Sequence, residues 1–268
     1  MSLLMSVLRN ALRMKKETVP LSKDDPLALH YEQELNRHKQ IVNEAFPGPG
    51  YYEWLQWFHL FVQPKLYLEI GVESGKALAN ARPPTLAIGV DPALRINHEF
   101  SARTKLFQQT SDSFFAEPHL KEIFEDQKLD MAFIDGLHTF DQALQDFINV
   151  EKHAHRDTVV LFHDVLPVIP ETADRERHTM FWIGDTWKVM LILKKYRPDL
   201  KLFNIPTASS GLGVAVHLDP NSTILAERYE EIVAEAMQFD LNDHLASLRT
   251  IVTTVDNQFD KVAQLLND

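Results

Sequence analysis

The sequence predicts an α/β fold in which a seven-stranded, mostly parallel sheet is covered by helices on both faces. Between residues 66 and 205, short apolar runs that suit buried strands alternate with stretches of helical character. Repeated strand–helix units of this kind form parallel, doubly wound sheets. Only a loop at residues 206–211 separates the last two strand-like runs, so these two strands are expected to pair antiparallel at the edge of the sheet.

The order of these elements gives a Rossmann-like architecture. Strands are predicted over residues 66–70, 85–90, 105–109, 129–134, 158–162, 202–205 and 213–218. Helices are predicted between them over residues 75–81, 96–103, 117–126, 140–153 and 186–196, and two more, 29–46 and 51–62, precede the first strand. The 268-residue chain is long enough for one such domain with appendages. We therefore assign residues 1–28 to a basic N-terminal segment and linker, 29–220 to the main domain and 221–268 to a C-terminal helical extension.

Composition narrows the class of partner. The chain has no cysteine, which excludes disulfides, thiolate nucleophiles and zinc–thiolate sites and is compatible with a reducing cytoplasm. Its net charge of −11 argues against broad nucleic-acid binding, because that requires a basic surface. No apolar run approaches the roughly 20 residues that span a bilayer. We expect a cytoplasmic protein whose partner is a small molecule.

The two termini carry amphipathic patterns. Residues 1–16 contain four basic residues and no acid, with leucines and a valine on one helical face. We favour a helix that packs on its own fold or on a partner; contact with a membrane surface is the alternative. From residue 241 to residue 266, apolar side chains recur in alternating steps of four and three, which is a heptad seam. This seam predicts a long C-terminal helix that forms a coiled-coil-like homodimer; a helix lying across its own domain is the alternative.

A nucleoside site is predicted where the first strand ends. Such turns bind nucleosides because backbone N–H groups point into the crevice at the carboxyl ends of the strands. Here Gly71 and Gly75 form the turn, and the carboxylates of Glu69 and Glu73 flank its first glycine. These acids would repel a pyrophosphate but suit a ligand that carries an ammonium and a sulfonium. Asp91, at the end of the second strand, is placed to accept hydrogen bonds from a ribose.

Polar side chains also follow the next three strands. Asp112 and Ser113 come after the third strand and could bond to an adenine edge, although an ordinary helix N-cap explains them nearly as well. The fourth and fifth strands each end in a carboxylate and an imidazole, namely Asp135 with His138 and His163 with Asp164. Charged groups that face a cleft cost desolvation unless something pairs with them, so these two strand ends predict a catalytic site.

These motifs resemble a known enzyme family. The pattern E-x-G-x-x-x-G at residues 69–75 resembles motif I of the class I S-adenosylmethionine-dependent methyltransferases. FIDGLHTFDQALQDF at 133–147, followed by VLFHD at 160–164, resembles the branch with macrocin-type and other sugar or small-molecule O-methyltransferases. The resemblance covers roughly residues 52–218. It implies S-adenosylmethionine as cofactor and a small-molecule hydroxyl as methyl acceptor. The cofactor-binding residues would then be Glu69, Gly71, Gly75, Asp91, Asp112, Ser113 and Asp135.

The same resemblance implies roles at the two strand ends. Asp135 and Asp164 would be ligands of a divalent metal, magnesium or manganese, and His138 would be the general base. The sequence departs from the branch at His163, where the branch has an acid. An imidazole at this position would either join the ligands, shifting the preference away from magnesium, or act in catalysis without a metal.

Other interpretations remain open at this stage. A long charged insertion at residues 166–185 is expected to be a lid or a mobile loop. A non-catalytic protein that keeps the nucleoside pocket and binds partners through its terminal helices is the main alternative function. A nicotinamide-dependent oxidoreductase is disfavoured by the glycine spacing and by the acids beside Gly71.

Overall fold

The computed structural model describes residues 26–245 and 248–267. The predicted amphipathic helix at residues 1–16 and most of the linker after it lie outside this range. Two helices, α1 (Pro26–Ala45) and α2 (Tyr51–Val62), precede the sheet as expected. Among the described helices, none combines the length and apolar character needed to cross a bilayer.

The sheet confirms the predicted doubly wound architecture. Its seven strands lie in the order β3-β2-β1-β4-β5-β7-β6. Their bounds are β1 (Leu66–Ile70), β2 (Leu86–Val90), β3 (Arg103–Phe107), β4 (Leu129–Ile134), β5 (Ala154–His163), β6 (Lys201–Ile205) and β7 (Leu212–Val216). The first five strands, β1 to β5, pair parallel with their neighbours. Strand β7 lies between β5 and β6 and pairs antiparallel with both. The strand order reverses between β1 and β4, which is where α/β sheets bind ligands.

Helices cover both faces of this sheet. They are α3 (Ser111–Phe115), α4 (Leu120–Ile123), α5 (Phe140–Lys152), α6 (Lys188–Tyr196), α7 (Ile224–Glu227), α8 (Tyr229–Ala236), α9 (Leu241–His244), α10 (Leu248–Ile251) and α11 (Phe259–Asn267). Every residue of β1, β2 and β7 is buried, so these strands, apart from Glu69 in β1, are continuous apolar runs rather than alternating ones. Apolar side chains from α5 and α6 fill one core, and those from α2 fill the other.

Two helices predicted on one side of the sheet are wrong. The stretch 75–81 contains only the short 3₁₀ turn Leu78–Asn80, and 96–103 is irregular until β3 begins. The backbone N–H groups of Arg95 and Asn97 donate to the carbonyls of Glu73 and Ser74. They are therefore used to hold the loop after β2 against the glycine turn after β1, instead of closing a helix of their own.

The predicted long C-terminal helix is also wrong. The described part of residues 241–266 forms the short helices α9, α10 and α11, and the stretch between α10 and α11 runs beside β6. There the backbone N–H of Asn204 donates to the carbonyl of Thr253, and the N–H of Val255 donates to the carbonyl of Asn204. The seam residues Leu248, Val252 and Val262 are buried in the domain itself. Unpaired backbone groups on the sheet edge and an apolar surface beside it outweigh the heptad pattern. The homodimer stays a prediction, without the continuous helix on which it was based.

Candidate active site

The glycine turn after β1 is pressed against the end of β4. Gly71 has a φ of +89°, and a Cβ at this position would lie 1.9 Å from the carbonyl oxygen of Asp135. Only glycine allows both the left-handed backbone and this approach. The turn therefore brings the predicted nucleoside site to the strand that carries Asp135. Gly75 closes the turn with a φ of +83°.

Asp91 ties the turn to the loop that follows β2. One carboxylate oxygen accepts from the backbone N–H of Glu73 at 2.8 Å, and the other accepts from the N–H of Ala93 at 2.6 Å. Each carboxylate oxygen has a second lone pair, so these bonds leave acceptor capacity. A hydrogen bond from Asp91 to a ribose stays a prediction.

Glu69 is a fully buried acid at the end of β1. Its Oε2 accepts a hydrogen bond from the Tyr67 hydroxyl at 2.7 Å. Burial raises the pKa of Glu69 to about 8, although the bond from Tyr67 opposes the shift. A carboxyl group in this state would be ionised by a positively charged ligand placed beside it.

Asp112 and Ser113 lie in the first turn of α3, which Thr110 caps by accepting a hydrogen bond from the Ser113 N–H. Both side chains are exposed. The side chain of Gln142, on α5, donates to Asp112 at 3.2 Å and to the buried carboxyl of Asp146 at 3.1 Å. The cap explains part of this sequence pattern, and contact with an adenine stays a prediction. Sequence reasoning missed the link through Gln142.

The two strand ends bring four side chains together, as the sequence predicts. The Nδ1 of His163 lies 3.1 Å from Asp135 Oδ1 and 3.5 Å from Asp164 Oδ2. The Nε2 of His138 lies 3.4 Å from Asp135 Oδ1, and its Nδ1 lies 3.3 Å from Asp164 Oδ2. Each carboxylate thus faces both imidazoles. His138 and Asp164 adopt positive φ angles of 62° and 60°, which turn their side chains into this cluster.

The charges within the cluster stabilise one another. Burial alone would lower the pKa of His163, but the carboxylates of Asp135 and Asp164 outweigh burial and raise it well above its ordinary value. The pKa of His138 is raised for the same reason, chiefly by Asp164. Burial would raise the pKa of Asp135, but His163 and His138 lower it. Ionised carboxylates beside imidazoles that readily take up protons can hold or move a proton.

Aromatic rings enclose both histidines. The Tyr51 ring lies 4.2 Å from the His163 ring, centroid to centroid, and Phe133 meets His163 edge-on at 6.0 Å. Trp182 stacks on His138 at 5.3 Å, and its backbone carbonyl lies 3.1 Å from His138 Nδ1. The rings fix both imidazoles in place.

One family model matches part of the chain. Residues 68–165 match a family model described as a methyltransferase domain. This part of the chain is therefore similar to a methyltransferase domain.

Among solved structures, this chain is similar to the O-methyltransferase TomG from Streptomyces achromogenes in complex with SAM. That pair shares 14% identity over 70% of this chain and 90% of the other, with a TM-score of 0.46. It is also similar to SAH-bound PaMTH1 from Podospora anserina, at 13% identity over 76% and 99% of the chains and a TM-score of 0.44. An O-methyltransferase from Bacillus cereus in complex with SAH shares 13% identity over 80% and 99%, with a TM-score of 0.43. No curated protein matches the chain.

The charged insertion at residues 166–185 is packed onto the site. Asp185 accepts a hydrogen bond from the backbone N–H of Phe140 at 3.1 Å, at the start of α5. The guanidinium of Arg175 bridges Asp185 and Asp141, at 3.3 Å and 2.8 Å. Gly184, with a φ of +64°, lies directly under the carbonyl of His138, where a Cβ would come within 1.8 Å of that oxygen. The insertion therefore braces the loop that carries His138.

The implied divalent metal fits these residues poorly. Donor atoms of Asp135, His138 and Asp164 lie within 4.8 Å of one another, so the grouping itself has suitable dimensions. A histidine that binds a metal through one nitrogen ordinarily donates its other N–H to an acceptor. The Nε2 of His163 is buried and has no partner among the described residues.

Tyr51, Trp182 and Gly184 are the site residues that sequence reasoning missed. Tyr51 was identifiable only as one of six aromatic residues in α2, and nothing in the sequence separated it from core residues. Trp182 and Gly184 lie in the insertion, more than forty residues from His138 along the chain. The available signal was a glycine close to aromatic residues in a long insertion. That signal is too weak to assign Trp182 or Gly184 to the site.

Proposed function

We propose that this methyltransferase domain transfers the methyl group of S-adenosylmethionine to a hydroxyl of a small molecule, with His138 as general base. The macrocin-type branch, which acts on sugars and related natural-product precursors, is part of the same proposal. The single observation that carries it is the placement of His138. This imidazole stands at the switch point of the sheet, 25% exposed, between two carboxylates and against Trp182.

The hydrogen bonds of His138 select its reactive nitrogen. Its Nδ1 faces the carbonyl of Trp182 at 3.1 Å and Asp164 at 3.3 Å, so the neutral ring is best accommodated with its proton on Nδ1. The Nε2 lone pair is then free to accept a proton. Asp135, 3.4 Å from that nitrogen, stabilises the N–H that forms.

The chemistry of the bound cofactor is simple: its sulfonium makes the methyl carbon electrophilic and leaves as a neutral thioether. The residues of the chain hold the acceptor hydroxyl in line and take its proton at His138 Nε2. The acceptor oxygen thereby keeps the electron pair that forms the new bond to carbon. Glu69 and Glu73, beside the glycine turn, would offset the positive charges of the cofactor.

A cavity beside α2 suits the acceptor. It has a volume of about 270 Å³, and its lining includes Tyr51 and Tyr52 together with the polar residues Lys39, Asn43 and Glu53. Aromatic faces with polar groups around them suit a hydroxylated ring. Tyr51 joins this cavity to the catalytic cluster, because its ring also contacts His163.

The sequence left open whether a divalent metal takes part. We propose the route without a metal, since His163 is poorly disposed to bind one. A cytoplasmic location, a homodimer and the absence of nucleic-acid partners remain predictions from composition and patterning.

Two measurements test the proposal. Calorimetric titration is expected to show micromolar binding of S-adenosylmethionine, no binding of NAD, and weaker cofactor binding by Asp91→Ala.

Release of S-adenosylhomocysteine is then measured with a panel of sugars and phenols. For the acceptor that is turned over, His138→Ala should lower kcat by about 10²–10⁴-fold. His153→Ala, at the end of α5, is the matched control and should keep its activity. Failure to bind S-adenosylmethionine would reject the function. Binding without turnover of any acceptor would favour the non-catalytic scaffold.

A further inference from the structure

We propose that the N–H of His163 joins the carboxylates of Asp135 and Asp164, in the place where a divalent cation would otherwise lie. His163 is thus a positioning residue that keeps both acids oriented toward His138. The conclusion that methyl transfer needs no metal rests on the proposed function. The inference that the imidazole of His163 takes the place of a cation does not depend on that function.

Two carboxylates that face one point, one buried and one largely shielded from water, need a positive or donating group between them, because water screens their mutual repulsion poorly. The side chains of Asp135 and Asp164 are 20% and 5% exposed, so water screens them little. The Nδ1 of His163 is hydrogen-bonded to Asp135 at 3.1 Å and lies 3.5 Å from Asp164. One imidazole thus meets the requirement that a metal ion would meet.

The ring of His163 is held in this orientation. Tyr51 covers one side of it at 4.2 Å, and Phe133 meets it edge-on. Its backbone belongs to β5 and pairs with Leu212 of β7. A turn of the ring that offered a lone pair to a cation would break the bonds to the carboxylates. A neutral ring that offered its Nδ1 lone pair to a cation would carry its proton on Nε2, which is buried and has no partner among the described residues.

The residue at position 163 therefore decides whether this cluster is a hydrogen-bonded site or a metal site. An acid in place of His163 would put a third carboxylate beside Asp135 and Asp164, which is the oxygen-rich donor set that Mn²⁺ and Mg²⁺ prefer. The backbone need not move, because only one side chain changes. His163→Asp is expected to create a metal site that the natural chain lacks.

Mn²⁺ binding tests this directly, without reference to turnover. Wild type, Asp135→Asn, His163→Asp and His163→Asp/Asp135→Asn are titrated with Mn²⁺, and the free ion is followed by electron paramagnetic resonance. Wild type should show no site with a Kd below about 1 mM, whereas His163→Asp should bind one ion at least about tenfold more tightly. The double variant should lose this site. Mn²⁺ should raise the melting temperature of His163→Asp and leave that of wild type unchanged. His163→Glu replaces His163→Asp if the shorter acid does not fold.

Two results would overturn the proposal. One is a wild-type protein that binds one Mn²⁺ per chain and loses it in Asp135→Asn. The other is a folded His163→Asp or His163→Glu that gains no affinity for Mn²⁺. Once an acceptor is known, turnover by wild type should also be unchanged by EDTA. Because binding of the ion and binding of S-adenosylmethionine are measured separately, a failed methyl transfer would not be mistaken for a failed metal prediction.

Discussion

Trp182 stacks on His138 with 21° between the ring planes, although the two residues lie far apart in the sequence. The same tryptophan supplies the carbonyl that faces His138 Nδ1 and donates its own Nε1–H to the carbonyl of Asp174 at 2.7 Å. The insertion therefore does not only cover the site. It holds the proposed base in one orientation.

Removing the indole should impair catalysis more than cofactor binding. Trp182→Ala is expected to lower kcat by about tenfold to a hundredfold, because a misplaced base loses its alignment with the acceptor. The Kd for S-adenosylmethionine should stay within about twofold of wild type. Trp182→Phe keeps a ring against His138 but loses the bond to Asp174, so it should recover most of kcat. Equal kcat values for Trp182→Ala and wild type would show that Trp182 does not position the base.

Affinity for S-adenosylmethionine should rise with pH through the titration of Glu69. Burial raises the pKa of this carboxyl to about 8, so it is mostly protonated at pH 7. A cationic ligand favours the ionised form, and the affinity should therefore increase by about tenfold between pH 7 and pH 9. The amino group of the ligand titrates in the same window, so the readout is the difference between wild type and Glu69→Gln. If both proteins show the same pH dependence, Glu69 does not meet the cationic part of the ligand.

The backbone contact between Gly71 and Asp135 should not tolerate a methyl group. Gly71→Ala places a Cβ 1.9 Å from the Asp135 carbonyl at a φ of +89° and should lower the free energy of unfolding by roughly 3 kcal/mol or more. Gly136→Ala is the matched control, because its Cβ would meet atoms no nearer than 3.4 Å. Chemical denaturation measures both. Similar losses in the two variants would contradict the special role of the Gly71 turn.

His59 should make the protein sensitive to acid. This buried residue of α2 has no hydrogen-bond partner for either ring nitrogen among the described residues, and burial lowers its pKa from 6.5 to about 4. Between these values the unfolded chain binds a proton that the folded chain does not. Stability is therefore lost as the pH falls from about 6.5 to about 4, by up to roughly 3 kcal/mol.

His59→Leu removes this titration while keeping an apolar side chain of similar size. Its melting temperature should fall less than that of wild type between pH 6.5 and pH 4. His119→Leu is the control, because the side chain of His119 is exposed. Its melting temperature should change with pH as that of wild type does. A His59→Leu variant with the same acid sensitivity as wild type would assign the effect to other groups.

The sequence determined the sheet and the ends of its strands. Apolar runs predicted β1 and β4 to the residue and the other strands to within a few residues, because a buried parallel strand must be apolar on both faces. Since parallel strands end at one edge of the sheet, the same pattern put Asp135, His138, His163 and Asp164 together. Local pattern is sufficient for features that follow from strand order alone.

Tertiary structure decided the rest. The helix predicted at 96–103 and the long helix predicted from the C-terminal heptad seam do not form. Backbone N–H groups in these segments donate to carbonyls elsewhere in the domain, and the apolar side chains of the seam are buried against the domain. Tertiary structure also placed Tyr51 and Trp182 against the two histidines. Such contacts join residues that are distant in the chain, and their energy depends on surfaces that exist only after folding. The periodicity of the sequence therefore does not predict these contacts.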